Sequence, residues 1–376
     1  MKKFLSTTLL LTMLAMANAC NTDVRPESVN RQAENGDSAE FTLSILVAGD
    51  LMQHQGQINA ASKGDGTYDY EETFRYVKEE VSGADLAIAN FEVTLGGRPY
   101  KGYPCFSAPD EYLDAAVDAG FDVLLTANNH CLDLRQKGLE RTIDMMDKAD
   151  VMHLGTYKNK EERDVKYPLL VERNGFRVVL LNFTYGTNGL KVQAPNVVNY
   201  MDTTEIARDI MKAKTMQPDI IIAIPHWGVE YVLQPNKQQR DIATWLLAKG
   251  VDHVIGSHPH VLQPMELLNK ETRGGNMVAY SLGNYVSNMT KTNTDGGAMV
   301  RLDFRKRGGE VTLEDCGYRL VWVSRPAISG HKNFRIYPVD IPDSMLNGAE
   351  RTKRNILYNN MKALFDKYNK GVGELK

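Results

Sequence analysis

The chain has 376 residues and a formal net charge of −3, with 43% apolar and 24% charged residues. This composition is typical of a globular protein that forms one large α/β domain or two smaller ones. Lysine and arginine residues are scattered and form no stripe beside aromatic residues, which argues against a nucleic-acid partner. The sequence has no fixed-period repeat, which argues against solenoids and propellers.

The first 19 residues have the pattern of a bacterial signal peptide. Lys2 and Lys3 precede a short apolar run over residues 4–16, and the small residues 17–19 stand directly before Cys20. Such a run is too short to span a bilayer and is typical of a cleaved leader. The segment resembles a lipoprotein cleavage site, although Ala17 stands where Leu is commonest. We therefore predict that Cys20 is lipidated and anchors an exported protein to a membrane of the cell envelope; a plain secretory signal with an incidental cysteine is the alternative.

Beyond Cys20, three cysteines remain: Cys105, Cys131 and Cys316. An odd number in an exported protein allows at most one disulfide bond plus a free thiol. We predict that Cys105 pairs with Cys131, on the assumption that residues 103–105 fold over the loop that carries Cys131. The sequence contains no Cys-x-x-Cys pair, which argues against a thiolate metal cluster.

Residues 20–40 are polar and predict a flexible tether, after which apolar and amphipathic segments alternate. This alternation predicts a largely parallel α/β sheet. The predicted strands cover residues 41–48, 85–90, 121–127, 177–183, 219–225 and 251–256, and the predicted helices cover residues 71–81, 110–119, 136–148, 203–216 and 237–249.

After residue 273 the pattern changes to closely spaced strands, which predicts a second, more antiparallel sheet. These strands cover residues 277–282, 297–304, 311–316 and 318–324, and a helix over residues 351–367 closes the chain. No linker is visible inside residues 41–340, so we predict one two-sheet domain there, followed by a C-terminal helical segment over residues 341–376.

Side chains that can bind a metal ion stand at the ends of the predicted strands. Ligands of open α/β sheets bind beyond the carboxyl ends of the strands, so these side chains are expected to converge. They are Asp50 after the first strand, Asn90 and Glu92 after the second, Asn128, Asn129 and His130 after the third, His226 after the fifth, and His258 and His260 after the sixth.

The spacing of these residues suggests their roles. A residue before proline favours an extended backbone, so we predict that His258 is extended and that His260 points to the same side. Asn129 and His130 are adjacent and should diverge, which favours Asn129 as a metal ligand and His130 as the proton donor to substrate. Imidazole, amide and carboxylate ligands together favour one or two Mn²⁺, Zn²⁺ or Fe²⁺ ions over Ca²⁺.

Six motifs occur in order: Gly49-Asp50, Asn90-Phe91-Glu92, Ala127-Asn128-Asn129-His130, His226-Trp227-Gly228-Val229-Glu230-Tyr231, Gly256-Ser257-His258-Pro259-His260 and Tyr280-Ser281-Leu282-Gly283-Asn284. Together they resemble the CapA family of poly-γ-glutamate capsule synthesis proteins, a branch of the calcineurin-like metallophosphoesterases. The resemblance covers about residues 41–340. It implies a four-layer α/β/β/α sandwich of two mixed sheets with a dinuclear metal site at one edge.

The resemblance also implies individual roles. Asp50 matches the first-strand aspartate ligand, Asn129 and His130 match the Asn-His pair, and His226, His258 and His260 match the later histidines. Three departures stand out: Glu92 replaces the bridging aspartate, Asn128 replaces a glycine, and no histidine follows Asp50 at the usual spacing. His54 can take that place if its loop turns back.

The motifs contain further residues that are candidates for contacting the ligands or the substrate. Asn90 and Asn128 lie beside predicted ligands, Glu230 can orient a ligand imidazole, and Asn284 can touch the site or cap a glycine turn. Trp227 can form a substrate wall or pack in the core. His153 and His253 are predicted to be core or surface histidines, and His331 falls in a loop without other candidate residues.

Two functions are compatible with this pattern. The first is a metal-dependent hydrolase of the cell envelope that cleaves a phosphoester or a γ-glutamyl amide during synthesis of a capsule or surface polymer. The second is a non-catalytic protein that binds an anionic polymer within an envelope synthesis complex. The sequence has no Gly-x-Ser-x-Gly, Walker or dinucleotide-binding motif, which argues against serine hydrolases, NTPases and dehydrogenases.

Overall fold

The structure is a computed structural model that describes residues 39–375. The predicted signal peptide, the lipidation site Cys20 and the tether up to residue 38 lie outside the described residues. Among the helices of residues 39–375, none combines the length and the hydropathy that crossing a bilayer requires.

The strands are β1 (Glu40–Leu51), β2 (Leu86–Phe91), β3 (Val123–Leu125), β4 (Met152–Leu154), β5 (Thr156–Tyr157), β6 (Leu169–Arg173), β7 (Phe176–Thr184), β8 (Val197–Val198), β9 (Ile220–His226), β10 (His253–Ile255), β11 (Leu262–Leu268), β12 (Asn276–Leu282), β13 (Asn284–Val286), β14 (Gly296–Arg307), β15 (Glu310–Ser324), β16 (Arg335–Pro338) and β17 (Gly373–Glu374). The helices are α1 (Gln55–Ala61), α2 (Glu71–Phe74), α3 (Lys78–Ser82), α4 (Asp110–Asp118), α5 (Arg135–Lys148), α6 (Lys160–Lys166), α7 (Thr203–Thr215), α8 (Lys237–Ala248), α9 (Pro326–Ser329) and α10 (Gly348–Tyr368), with a 3₁₀ turn at Asp343–Met345.

Two large mixed sheets carry the fold. The first has nine strands in the order β16-β15-β14-β1-β2-β3-β4, with β13 paired to β1 and β17 to β15. The second has six strands in the order β11-β12-β10-β9-β7-β6. β1 to β4 run parallel in the first sheet, and β7, β9, β10 and β12 run parallel in the second. The prediction of two mixed sheets is confirmed.

The predicted division of strands between the sheets is wrong. The early parallel strands are shared between both sheets, and the strands after residue 273 also enter both, since β12 joins the second sheet while β14 joins the first. An apolar run shows that a strand is buried on both faces, but it carries no information about which strand lies beside it. The two predicted strands over residues 311–324 form the single strand β15.

Successive side chains of β1 pack into two different cores, one on each face of the first sheet. Ile45 and Val47 lie in one core with Leu180 of the second sheet, whereas the intervening Leu46 lies in a separate core with Phe74 of α2. Successive strand residues point to opposite faces, so the first sheet is covered by the second sheet on one side and by helices on the other. α7 and α8 pack on the second sheet, which completes the four-layer α/β/β/α sandwich.

Helix boundaries differ locally from those predicted. The helix predicted over residues 71–81 is broken into α2 and α3, and the backbone of Val77 has φ −118° at the start of α3. The closing helix α10 begins at Gly348 because Asn347 and Glu350 form a reciprocal capping box. Its residues Met361 and Phe365 are buried in the same core as the two sheets.

The predicted disulfide bond is absent. Cys105 and Cys131 are both free thiols, the first exposed and the second buried. Cys131 packs with Leu132 and Leu139 in a small core of its own, whereas Cys105 is exposed to solvent. Burial raises the pKa of the Cys131 thiol to about 12.

His253 in β10 makes stability sensitive to acid. Its Nδ1 accepts a hydrogen bond from the Met277 backbone N–H at 3.1 Å, and burial lowers its pKa to about 3. An unfolded histidine binds a proton near its ordinary pKa of about 6.5, so this group removes stability as pH falls below that value. Lowering the pH from 7 to 5 should decrease the free energy of unfolding of both proteins. We expect this decrease to be about 2 kcal/mol smaller in His253→Gln than in the wild type. Denaturant titration at both pH values measures this, and equal losses in the two proteins would contradict the assignment.

Candidate metal centre

Both sheets deliver polar side chains to one place. Asp50 is the penultimate residue of β1 and Glu92 directly follows β2, both from the first sheet. His226 is the last residue of β9, and His258 and His260 follow β10, both strands of the second sheet. All five side chains are at most 2% exposed. The site therefore lies between the two sheets, at the carboxyl ends of their parallel strands.

These five residues form two overlapping groups. Glu92, His226 and His258 have potential ligand atoms within 4.8 Å of one another, and so do Asp50, Glu92 and His260. Glu92 belongs to both groups. A carboxylate shared by two ligand groups is the arrangement by which proteins bridge two metal ions.

The distances between imidazole nitrogens and carboxylate oxygens in these groups are short, but longer than typical hydrogen bonds. The Nε2 atom of His226 lies 3.7 Å from Oε1 of Glu92, and Nε2 of His260 lies 3.8 Å from the same oxygen. The Nδ1 atom of His260 lies 3.4 Å from Oδ2 of Asp50. Imidazole and carboxylate atoms thus face one another across a gap, as the ligands of a common cation do.

The unsatisfied atoms of the site fit a divalent metal ion. Oδ2 of Asp50, Oε1 of Glu92 and Nδ1 of His258 are buried without a hydrogen-bond partner among residues 39–375. Leaving a buried polar atom unpaired costs about 1–3 kcal/mol, and more for a charged atom. These three orphaned atoms belong to the residues of the two groups, and carboxylate oxygen with imidazole nitrogen suits a transition-metal ion.

The charges of the site favour a cation over protons. Burial and the neighbouring Asp50 carboxylate raise the pKa of Glu92 well above its ordinary value. Burial and the other imidazoles lower the pKa of His226, and that of His258 falls to about 3. His226 and His258 are therefore neutral, the form that binds metal, and a bound cation would stabilise the Glu92 carboxylate.

Hydrogen bonds orient the ligand side chains. The amide nitrogen of Asn90 donates to Oδ1 of Asp50 at 2.7 Å and to Oε2 of Glu92 at 3.3 Å. The Nδ1 atom of His226 lies 3.0 Å from Oγ of Ser257, which leaves Nε2 facing Glu92. Such partners fix the tautomer and direction of ligand groups.

Glycine permits the close approach of the chain at Asp50. A Cβ atom on Gly49 would lie 2.2 Å from the backbone oxygen of Gly283, so no larger residue fits before Asp50. The backbone N–H of Asp50 donates to that same oxygen at 2.9 Å. The loop around Gly283 is thereby joined to the end of β1.

The prediction that His258 is extended is wrong. His258 has φ +102° and His260 has φ +58°, both in the positive region that L-residues rarely adopt. Their rings nevertheless converge, with centroids 5.8 Å apart. The preference imposed by Pro259 is overridden because the surrounding structure holds the turn, and strained backbone of this kind concentrates at functional sites.

Residues 44–289 match the family described as bacterial capsule synthesis protein PGA_cap. The chain belongs to this family. The match includes both sides of the metal centre, from Asp50 to His260, and the predicted resemblance to capsule synthesis proteins is confirmed.

Two curated proteins are similar in sequence to this PGA_cap member. The capsule biosynthesis protein CapA of Bacillus anthracis is 30% identical over 279 residues, which cover 71% of this chain and 65% of that protein. The PGA biosynthesis protein CapA of Bacillus subtilis (strain 168) is 28% identical over 280 residues, covering 72% and 70%. Among solved structures, the chain is similar to the calcineurin-like phosphoesterase YfkN of Bacillus subtilis. The two share 16% sequence identity and a TM-score of 0.46, and the match covers 87% of this chain and 99% of YfkN.

The residues after β3 adopt divergent directions. Oδ1 of Asn129 lies 2.8 Å from Nε2 of His226, so this amide oxygen faces the first ligand group. His130 is held by Asp133, whose Oδ2 lies 2.8 Å from the imidazole Nδ1. The side chain of Asn128 donates to the backbone oxygen of Phe91 at 2.9 Å and anchors this turn to the end of β2.

Asn284 contacts a ligand histidine directly, whereas His54 packs on Phe106 with ring centroids 5.3 Å apart. Oδ1 of Asn284 is 3.1 Å from Nδ1 of His260. His54 precedes α1 and is half-buried, with its Nδ1 3.3 Å from the backbone nitrogen of Asn288. Burial lowers the pKa of His54 to about 4. Within residues 39–375, neither group of three potential ligands includes His54.

The structure decides between the alternatives for Trp227 and Glu230. Trp227 is 1% exposed and donates its indole N–H to the backbone oxygen of Tyr280 at 2.9 Å, so it packs in the core and forms no substrate wall. Glu230 is exposed, and Ser257 rather than Glu230 lies beside the His226 imidazole. The turn after Trp227 points Glu230 to solvent, and Gly228 in that turn has φ +95°.

Three residues that contact the site histidines are not among the candidates from the sequence: Ser257, Asp133 and Tyr185. Ser257 stands within the Gly256–His260 motif, and Asp133 stands one helical turn after His130, so both spacings were visible. Tyr185 follows β7 and has its ring centroid 4.5 Å from that of His258, with 42% of its surface exposed. No sequence signal marks Tyr185, because its position depends on how β7 lies beside β9.

Metal binding should stabilise the fold measurably. At about 100 times the dissociation constant, Mn²⁺ or Zn²⁺ is expected to raise the free energy of unfolding by about 2.7 kcal/mol. Glu92→Gln and His260→Ala should remove both this gain and the bound metal, because Glu92 serves both groups and His260 completes one. His153→Gln is the control, since His153 lies in β4 and pairs with Asp147 at 3.0 Å. Thermal melts and elemental analysis give the readout, and unchanged metal content in Glu92→Gln would refute the site.

Proposed function

We propose that this chain is a divalent-metal-dependent hydrolase of the cell envelope that acts in the synthesis of a capsule or surface polymer. The observation that carries the proposal is the buried Glu92 carboxylate, which is shared by two ligand groups and keeps an unpaired oxygen. Membership of the PGA_cap family supports the capsule role. The names of the two curated relatives point the same way.

The residues present are those that would hold the metal. Glu92, His226 and His258 would form one site with Asn129, and Asp50, Glu92 and His260 would form the other. When bound, one or two Mn²⁺, Zn²⁺ or Fe²⁺ ions supply an activated water and stabilise charge on the transferring group. The bond that is cleaved in this proposal is a phosphoester or a γ-glutamyl amide.

His130 would move the proton in the reaction. Its Nδ1 is held by the Asp133 carboxylate at 2.8 Å, and the same carboxylate oxygen accepts the Phe106 backbone N–H at 2.8 Å. The ring also packs edge-on against Phe106 with centroids 4.6 Å apart. The imidazole is thus fixed in orientation, so Nε2 can donate a proton to a leaving group without rearrangement.

The proposal includes the location of the protein. Residues 1–19 would direct export, and lipid on Cys20 would anchor the domain to a membrane of the envelope. A polar segment up to residue 40 would hold the domain away from the lipid, where an anionic polymer or a larger envelope synthesis complex can reach it. Nucleic acid is not among the proposed partners.

Metal analysis combined with turnover tests the function. We expect purified protein to contain stoichiometric metal and to hydrolyse a chromogenic phosphodiester or a γ-glutamyl anilide, and Asp50→Asn and His260→Ala to lose both properties. A folded, metal-free wild-type protein without turnover would refute the enzyme. Polymer binding by such a protein would instead support the non-catalytic role.

The proton-transfer role has its own test. His130→Gln should lower kcat by about 10²–10⁴-fold, which is the usual contribution of general acid–base catalysis. Asp133→Asn should lower kcat less, because it disturbs only the orientation of the ring. Metal content should stay at the wild-type level in both, since neither residue belongs to a ligand group.

The matched control for His130 is His153→Gln, which removes a second buried histidine with an aspartate partner. Its kcat should equal that of the wild type. Full activity of His130→Gln would exclude it as the proton donor.

A further inference from the structure

The two sides of the metal centre present different surfaces to solvent. On one side, the ring of Tyr185 lies over His258 at 4.5 Å and stacks with His226 at 6.3 Å between centroids. On the other side, the ring of Tyr231 lies 6.1 Å from that of His260. The backbone N–H of Tyr231 donates to the oxygen of Pro259 at 2.8 Å, which ties this second ring to the histidine turn.

A lysine is present on the Tyr231 side. The Nζ atom of Lys291 lies 3.5 Å from the centre of the Tyr231 ring, a close cation–π contact. Lys291 is exposed and forms no ion pair with any carboxylate of residues 39–375. Its charge is therefore held near His260 without being neutralised.

The turn that carries Lys291 is joined to the site. Both the backbone N–H and the hydroxyl of Thr294 donate to the Lys291 carbonyl, at 3.1 and 2.8 Å. The Thr294 carbonyl accepts from the side chain of Asn284 at 2.9 Å, and Asn284 contacts His260. Arg325 adds a hydrogen bond to the backbone oxygen of Met289. The backbone of Lys291 is thereby fixed relative to the ligand residues, and its ammonium lies against the Tyr231 ring.

We propose that Lys291 is the specificity-determining residue that binds a carboxylate of the substrate on the His260 side of the metal centre. This inference rests on the proposed function and names the group by which an anionic chain is recognised. The neighbouring exposed Glu230 repels a carboxylate, so the attractive position is confined to the ammonium above Tyr231. A chain with a carboxylate at every residue is bound with a defined direction relative to the two ligand groups.

Equilibrium binding tests the role of Lys291 independently of turnover. The probes are a fluorescent γ-linked glutamate oligomer and the same oligomer with every free carboxylate converted to a carboxamide, each added to the metal-loaded full chain. The variants are Lys291→Gln, Lys291→Arg and Lys249→Gln. Lys249 is the matched control, because its Nζ lies 5.9 Å from the Trp245 ring at the end of α8, ahead of β10 and away from the carboxyl strand ends.

We expect Lys291→Gln to bind the charged oligomer about fivefold more weakly, as for loss of one exposed ion pair, and the capped oligomer equally well. Lys291→Arg and Lys249→Gln should match the wild type for both probes. The difference should shrink in about 0.5 M salt, where exposed charges are screened. Metal content should not change in any variant.

Three results would overturn the role of Lys291: unchanged binding of the charged oligomer by Lys291→Gln, equal weakening for both probes, or no binding by the wild type. The hydrolase proposal fails separately. If the wild type binds the charged oligomer through Lys291 but never cleaves it, the recognition role stands and the enzymatic role is lost.

Discussion

Two carboxylates, Asp50 and Glu92, are buried side by side among three imidazoles, and the rest of the site is organised around that arrangement. Removing an ionised carboxylate from water without a partner is costly, which is why the pKa of Glu92 is raised. Asn90 donates to both carboxylates but leaves one oxygen of each unpaired. A divalent cation is the group that satisfies both of these oxygens together with the imidazole nitrogens around them.

The two-sheet architecture makes this cluster possible. The first sheet contributes the carboxylates through β1 and β2, and the second contributes the imidazoles through β9 and β10. Ile45 and Val47 of β1 share a core with the second sheet, so apolar packing holds the two halves of the site in register. The positive-φ backbone of the histidine turn, a conformation that costs about 1–3 kcal/mol per residue, is flanked by backbone hydrogen bonds from Ser257 to Pro225 and from Tyr231 to Pro259.

The surroundings of the centre separate two tasks. Buried partners hold the imidazoles in fixed orientations: Ser257 contacts His226, Asp133 contacts His130 and Asn284 contacts His260. Exposed groups at the mouth, Tyr185 on one side and Lys291 on the other, are free to meet a substrate. A rigid polar interior with a chemically asymmetric rim is the arrangement that the proposed recognition of an anionic chain requires.

The sequence alone determined which residues stand at the ends of apolar strands, and hence that Asp50, Glu92, His226, His258 and His260 were candidates for one edge of an α/β protein. It did so because a buried strand and its terminating polar residue are local features of the chain. Tertiary structure decided the rest: the sharing of strands between two sheets, the positive φ of His258, the burial of Trp227, and the burial of Cys131 while Cys105 is exposed. Each of these depends on contacts between segments far apart in the chain, and local patterns carry no record of such contacts.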